Sequence, residues 1–391
     1  MAGEARGGRW GREVLFLLGL LALLAAALGV LISPAFRLAR SALLLQALLQ
    51  PGPSSLLYQL TEPPTRRGLS LSVAGEALRS DLYLPAGEGP HPGLLAIHGL
   101  TDRGKDDPNL ARLAETLARG GWAVMVPEFP AMKALRAEAG EAKRVAAFFL
   151  ALEKLQEVRR GSSGLLAFSF GAGPAFLAAA RPEVRERVRY VVAFGAYYDP
   201  FNVIRFLTTG HYEFGGERFQ GTPRREGKWF FVLFNLHTFD LGPWEQVVRA
   251  IVSRKLHDER APIADLTRRL PPRGQKLLAL VENSDPARFS SLLAEQPRQW
   301  LDRARALSME GVLPRTRAKF FLIHGRLDPL VPHTESLRLQ ASAGDPERVS
   351  VTLVRFFKHV ETRRPGTFLT LGADAGRLAL VLYRILELAG E

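Results

Sequence analysis

The hydrophobic pattern of the chain changes period several times. Leu69–Val73 and Ala77–Leu84 alternate apolar and polar positions, which predicts an antiparallel strand pair. Short, nearly continuous apolar runs follow at Gly93–Ile97, Trp122–Val126, Leu165–Phe168, Tyr190–Phe194, Phe320–His324 and Val349–Arg355, the signature of strands buried on both faces. Between them lie stretches with helical spacing: Asn109–Ala118, Glu141–Val158, Gly171–Ala180, Thr334–Ser342 and Thr367–Leu388. In Glu141–Val158, Val145, Phe148, Phe149, Leu152 and Leu155 share one face. Strands alternating with helices predict an α/β fold, a mostly parallel sheet covered on both faces, whose reactive groups sit at the carboxyl ends of the strands.

This rhythm stops between Tyr198 and Arg317. The intervening sequence is aromatic-rich, carries no strand signal, and has helical stretches near Trp244–Arg254, Ala261–Arg269 and Pro297–Leu307. The division expected is a core of residues 69–198 and 318–391 with an insertion of residues 199–317.

The N-terminus has another pattern. Val14–Ile32 is almost wholly Leu, Ala, Val, Phe and Gly, and no charged residue occurs from Val14 to Phe36. About 20 apolar residues suffice to cross the hydrocarbon core of a bilayer, so residues 1–36 read as a tip and transmembrane anchor. Arg6, Arg9 and Arg12 precede the segment and place the N-terminus in the cytoplasm and the body on the outer, periplasmic or extracellular, side; Arg37 and Arg40 oppose that orientation. The alternatives are a cleaved signal peptide, for which Leu31-Ile32-Ser33-Pro34-Ala35 is a poor site, with secretion as the result, and a buried core helix. Residues 37–68 read as a linker, with Ala42–Leu49 an amphipathic continuation lying at the interface or on the body, and Pro51–Pro64 rich in Pro, Ser and Thr. Asp374 and Arg377 rule out a second span in the last helix.

The formal net charge of +13 comes from basic residues scattered along 391 positions and interleaved with acids, not from a dense basic tract, which argues against a nucleic-acid partner. Diffuse positive charge suits anionic lipid headgroups better. With 0 cysteines the chain has no disulfide, thiolate–metal site or thiol nucleophile. No GxxxxGK[ST] occurs and no GxGxxG follows a strand, so no nucleotide cofactor is called for.

The strongest chemical signal is Ala167-Phe168-Ser169-Phe170-Gly171, where a strand runs directly into a small-residue helix. A serine at the apex of such a turn needs small residues two before and two after, because strand and helix backbones approach closely. Ala167 and Gly171 meet that need, although Ala167 departs from the stricter Gly-x-Ser-x-Gly form. The turn would aim the Phe170 N–H at a developing oxyanion. A plain helix N-cap is the other reading of Ser169. Asp328 follows the apolar strand Phe320–His324, and His359 follows the last strand. The order Ser, Asp, His is the one expected when three loops of one sheet deliver a nucleophile, a carboxylate and a base.

His98-Gly99, Ala167–Gly171, His324-Gly325-Arg326-Leu327-Asp328-Pro329-Leu330-Val331-Pro332 and Lys358-His359 together resemble the α/β-hydrolase superfamily, in particular serine esterases, lipases and dienelactone-hydrolase-like proteins. The resemblance implies an eight-stranded sheet, an inserted helical cap, and an oxyanion hole in which the Leu100 N–H joins that of Phe170. Dienelactone hydrolases proper use a cysteine where this chain has Ser169, and haloalkane dehalogenases an aspartate, so neither activity carries over.

The expectation is thus a membrane-anchored serine hydrolase, with Ser169, Asp328 and His359 as the triad, cleaving an ester or related acyl bond of a small or lipid-like substrate without a cofactor or metal. A peptidase or thioesterase of the same fold, and a non-catalytic binding protein, are the rivals. His98 is expected to brace the oxyanion loop and His324 the Asp328 turn, and His333 competes with His359 as base. His211, His237 and His257 lack metal-ligand spacing. Phe201, Phe206, Trp229, Phe230, Phe231 and Phe234 of the insertion either line a pocket or form its own small core.

Overall fold

The computed structural model describes residues 33–73, 75–355, 357–358, 361–362 and 368–390. The apolar segment Val14–Ile32 and His359 lie outside them. No helix among the described residues is long and apolar enough to cross a membrane.

Helices α1 (residues 33–49) and α2 (Leu56–Leu60) lead into strands β1 (Thr65–Val73) and β2 (Glu76–Leu84). Next come β3 (His91–Ile97), α3 (Pro108–Arg119), β4 (Ala123–Pro127), α4 (Pro130–Lys133), α5 (Glu141–Leu152), β5 (Val158–Phe168), α6 (Ala172–Ala179) and β6 (Tyr190–Phe194). The insertion supplies α7 (Pro200–Thr209), β7 (His211–Phe214), β8 (Glu217–Gln220), α8 (Gly227–Asn235), α9 (Glu245–His257), α10 (Ala264–Thr267), α11 (Pro272–Val281), α12 (Phe289–Ala294) and α13 (Arg298–Arg305). The chain closes with β9 (Lys319–Gly325), α14 (Thr334–Ala341), β10 (Val349–Val354), the two-residue strands β11 (Phe357–Lys358) and β12 (Glu361–Thr362), and α15 (Phe368–Leu388).

Eight strands form one sheet in the order β1-β2-β4-β3-β5-β6-β9-β10. Only the pairings of β2, with β1 and with β4, are antiparallel. One face packs on α5, α6 and α14 through Val145, Phe149, Phe176 and Leu339. The other packs on α1, α3 and α15 through Leu44, Leu117 and Ile385. The runs that are apolar in sequence are the strands buried from both sides, as their lack of alternation requires.

Three departures from the sequence reading have local causes. Residues 37–68 hold two helices instead of a plain linker, and Ala42–Leu49 takes the alternative of lying on the body: α1 buries Leu44, Leu45 and Ala47, α2 buries Leu57, and Arg40 Nη2 donates to the Gly120 carbonyl at 2.7 Å. Helix α5 stops at Leu152 rather than Val158, because Val158 is drawn into the ladder opposite His91 and Glu153 turns back to accept from the Ser163 hydroxyl. The insertion does contain strands. Hairpin β7–β8 turns on Gly215 and Gly216 at φ 62° and 82°, and Tyr212 stacks on Phe219 across it with ring centroids 5.3 Å apart.

The insertion has its own apolar cluster, in which Trp229, Trp300, Phe239, Ile251 and Leu277 are buried. The two readings of its aromatic residues are both realised. Phe206 and Trp229 are core, whereas Phe230, Phe231 and Phe234 border a cavity. The insertion is fastened to the sheet by Glu335 of α14, which accepts from the Tyr198 and Asp199 backbone N–H groups at 2.9 and 2.8 Å and from Asn202 Nδ2 at 3.1 Å.

Candidate active site

Strand β5 ends at Phe168 and the chain turns at once through Ser169-Phe170-Gly171 into α6. Ser169 stands at φ 51°, a backbone region that a side chain with a Cβ rarely adopts. Such strain persists only where surrounding structure imposes it, and it concentrates at functional positions. What imposes it here is the neighbouring loop. A Cβ on Gly171 would collide with the His98 carbonyl oxygen, and one on Gly99 would lie 3.2 Å from the Phe168 carbonyl oxygen and 3.4 Å from Ser169 Cβ. Ala167, two residues before the serine, is completely buried. Gly171, one of the two small residues singled out in the sequence, therefore sits where two backbones touch, and the other, Ala167, is enclosed in the core.

The loop after β3 is braced from behind. The His98 ring is buried; its Nδ1 lies 2.7 Å from the Gly99 carbonyl oxygen, and the Phe129 N–H reaches its Nε2 at 3.4 Å. A carbonyl can only accept and an N–H only donate, so Nδ1 carries the proton and Nε2 is bare. Burial pushes this imidazole below its usual pKa, which favours that neutral form. His98 is thus a strut with both nitrogens engaged. Further along, Gly104 at φ 55° leaves room for Glu128, whose Oε2 accepts the Lys105 N–H at 3.0 Å. The Lys105 ammonium is anchored on Asp81 at 3.0 Å and Asp106 at 2.6 Å. Asp107 caps α3 by accepting from the N–H groups of Asn109 and Leu110. These contacts fix residues 98–107 and with them the Leu100 backbone beside the serine.

Strands β5, β6, β9 and β10 are adjacent and parallel, and their carboxyl ends align, with Phe168 opposite Phe194, Phe194 opposite Ile323 and Gly325 opposite Val354. Ser169 and Asp328 therefore rise from the same rim, separated by the width of β6. Asp328 is buried and its carboxylate is held in place: Oδ1 accepts the Leu330 and Val331 N–H groups at 2.8 and 3.0 Å, and Oδ2 faces His324 Nε2 at 3.4 Å. His324 has no exposed surface, its Nδ1 lying 2.7 Å from Ser336 Oγ and its Nε2 3.0 Å from the Val331 carbonyl oxygen. His333, the rival base, stands at the head of α14 with its ring 6.1 Å from Tyr212. Burial, then the neighbouring His324 and Arg326, keep its pKa low. Strand β10 ends beside β9, and Asp374 of α15 accepts the Arg355 N–H at 2.8 Å, four residues before His359 in the sequence.

Ser169, Phe170, Gly99 and Leu100 all border one cavity of about 880 Å³, at the upper end of the usual range for ligand sites. Its walls are mainly aliphatic and aromatic. Tyr197 was not apparent from the sequence, where it stands three residues past the strand Tyr190–Phe194 with no chemical signal around it. It borders the cavity stacked on Phe170, and its hydroxyl, packed against Gly173, is buried with no hydrogen-bond partner among the described residues. Leu45 and Leu48 of α1 also reach the cavity, although their segment reads as a linker. No cluster of three or more potential metal ligands occurs among the described residues.

No protein-family model matches the chain, and no curated protein matches it significantly. Among solved structures, it is similar to the rice cell wall degrading esterase LipA from Xanthomonas oryzae, at a TM-score of 0.51 and 18% identity, over 88% of this chain and 94% of the esterase. It is similar at a TM-score of 0.47 and 16% identity to a 2,6-dihydroxy-pseudo-oxynicotine hydrolase, over 83% of this chain and 68% of that one. A Mycobacterium tuberculosis puromycin-hydrolyzing peptidase gives a TM-score of 0.47 and 14% identity over 82% of this chain, which spans only 38% of the peptidase's length. The shared feature is the α/β-hydrolase fold.

Proposed function

We propose that this α/β-hydrolase-fold chain is a serine hydrolase that cleaves an ester or related acyl bond through an acyl-enzyme. The observation that carries the reading is Ser169 held at φ 51° on a strand-to-helix turn, at the wall of a large apolar cavity that Gly99 and Leu100 also border.

In the proposed reaction Ser169 Oγ attacks the carbonyl carbon while its proton passes to the His359 imidazole. The Asp328 carboxylate orients that imidazole and stabilises it once charged. The oxyanion takes hydrogen bonds from the Leu100 and Phe170 N–H groups; the latter lies in the first turn of a helix, where backbone donors have no intrahelical acceptor. Collapse expels the alcohol, which takes the proton from His359. Water, deprotonated by the same imidazole, then attacks the acyl-enzyme, and Ser169 leaves with the proton as the acid departs. Strands β5 and β9 are two strand spacings apart, about 10 Å. That gap between Ser169 and Asp328 is one an interposed imidazole fills, which supports His359, whose place in the chain order fits the role. Ester cleavage is favoured over peptide cleavage because the cavity is predominantly apolar.

We further propose that Val14–Ile32 anchors the protein in a membrane with the body on the outer side, on the strength of its length and apolar composition. Extraction at alkaline pH and protease accessibility of the body test this, and a mature N-terminus beyond residue 32 would convert the anchor into a cleaved signal. The catalytic proposal is tested by fluorophosphonate labelling of the full chain. Labelling is expected in the wild type and absent in Ser169→Ala. A folded wild type that never labels overturns it.

A further inference from the structure

The cavity at Ser169 extends in two directions. One arm lies beneath the insertion, against Phe230 and Phe234. The other leaves the rim and follows the sheet face that packs on α1, α3 and α15. Its floor can be traced by register: Phe168 beside Phe194, then Leu166 beside Val192, then Tyr190, all pointing to the same side of the sheet and all bordering the cavity. From Phe194 to Tyr190 is four residues, about 13 Å at the rise of a strand. The roof consists of Leu48 of α1, Leu113 of α3, and Val381 and Leu382 of α15. At the deep end, the Trp122 indole N–H donates to the Tyr190 hydroxyl at 3.0 Å, so the polar atoms there are directed at each other. Thr101, Asp102 and Asn109 also border the cavity, but they belong to the loop after β3 and the first turn of α3.

Protein interiors pack to the density of organic crystals, with few voids larger than a water molecule. A long apolar channel through an otherwise well-packed layer is therefore space kept for a ligand, and its contents must be apolar because its wall offers little for water to bond. Its wall of aliphatic side chains from three helices against a strand floor, and its origin at the nucleophile, both suit a hydrocarbon chain attached to the reacting carbonyl. The arm beneath the insertion is then left for the alcohol portion.

We infer that the arm between the sheet and helices α1, α3 and α15 holds the acyl chain, so that the substrates are long-chain acyl esters. This rests on the serine-hydrolase reading and adds the substrate class to it. Helix α1 is continuous in sequence with the apolar segment 14–32, so the roof of this arm is built by the part of the body nearest to that segment along the chain.

The test compares Leu48→Trp and Leu382→Trp in the full chain, each placing an indole where the acyl chain would run; both leucines border the cavity and are only partly buried. The ratio of kcat/KM for a palmitate ester over a butyrate ester is measured in detergent micelles. Each methylene buried contributes up to about fourfold, so the wild-type ratio is expected well above one and each variant is expected to lower it at least tenfold. Binding of a fluorescent long-chain fatty acid to Ser169→Ala, weakened at least tenfold by the same tryptophans, reads the arm without catalysis. Leu113→Trp replaces either variant that fails to fold. A wild-type ratio near one, or variants that keep both the ratio and the binding, overturns the acyl arm while Ser169-dependent labelling leaves the serine hydrolase standing. Absent labelling with intact fatty-acid binding does the reverse.

Discussion

His324 Nε2 lies 3.4 Å from Asp328 Oδ2, and both side chains are sealed from solvent. The same nitrogen lies 3.0 Å from the Val331 carbonyl oxygen, which can only accept, so Nε2 carries a proton and Nδ1 accepts from Ser336. His324 therefore presents a donor to the carboxylate and clamps the loop that bears it. Replacing it with alanine opens a cavity and strands the Ser336 hydroxyl. We expect His324→Ala to cost about 2–4 kcal/mol in urea unfolding. We also expect kcat/KM to fall by about two orders of magnitude, the penalty of misplacing a catalytic group by an ångström. A variant with normal turnover would show that Asp328 is positioned by its backbone donors alone.

Ser169 offers a separation of stability from activity. A non-glycine residue at φ 51° costs about 1–3 kcal/mol, and glycine removes that cost while gaining some unfolded-state entropy. Ser169→Gly is expected to abolish hydrolysis and yet be more stable than Ser169→Ala by about 1 kcal/mol, measured by chemical denaturation. Equal stabilities would mean that the turn is unstrained.

Glu335 sets a pH dependence of stability. Burial pushes its carboxyl up to about 7, overcoming the Asp199 and Tyr198 N–H donors that favour the charged form. Its folded pKa is above the unfolded value, so the folded state holds the proton more tightly. This contribution is fully present below about pH 4.5 and is lost as pH rises through 7, for a total of about 3 kcal/mol. Unfolding midpoints of wild type and Glu335→Gln, compared at pH 4.5 and pH 8, should diverge in that sense. Parallel pH profiles would refute the assignment.

Three histidines, His98 buried and His237 and His333 partly buried, act in the opposite direction. Burial holds the imidazoles of His98, His237 and His333 below their usual value. A base with a lowered pKa contributes stability that is present above its unfolded value, near 6.5, and is lost as pH falls through that value toward the folded one. The acid-side loss should shrink in His98→Gln, whose amide can keep the Gly99 and Phe129 contacts in part. An unchanged acid limb would assign the loss to other groups.

The parallel strands were legible because each is apolar without interruption and bounded by turn residues, and the run from Leu165 into Ser169 marks a strand entering a small-residue helix. Gly171, whose constraint is a backbone contact, was legible for a related reason: a strand-to-helix turn needs a small residue there, and smallness is visible in a sequence. Hairpin β7–β8 escaped because its strands are four residues each, although Gly215-Gly216 is a turn signal. Glu335 and Tyr197 escaped because burial, not residue type, makes them notable; an isolated Glu at the start of a helix looks like a surface residue interacting with the dipole. The place of α1 in the cavity wall was hidden because Ala42–Leu49, seven apolar residues and one glutamine before two prolines, suits an interface as well as the body.

Helix α1 also bears on how the body is held. Its buried leucines and the Arg40 contact to Gly120 weld it to α3 and the sheet, leaving no swivel between residues 33 and 49. A force or rotation applied at residue 33 is passed to the body as to a rigid handle. Lengthening the chain there would not loosen the body; a loose tether would have to be created by detaching the helix, which would also unroof the channel.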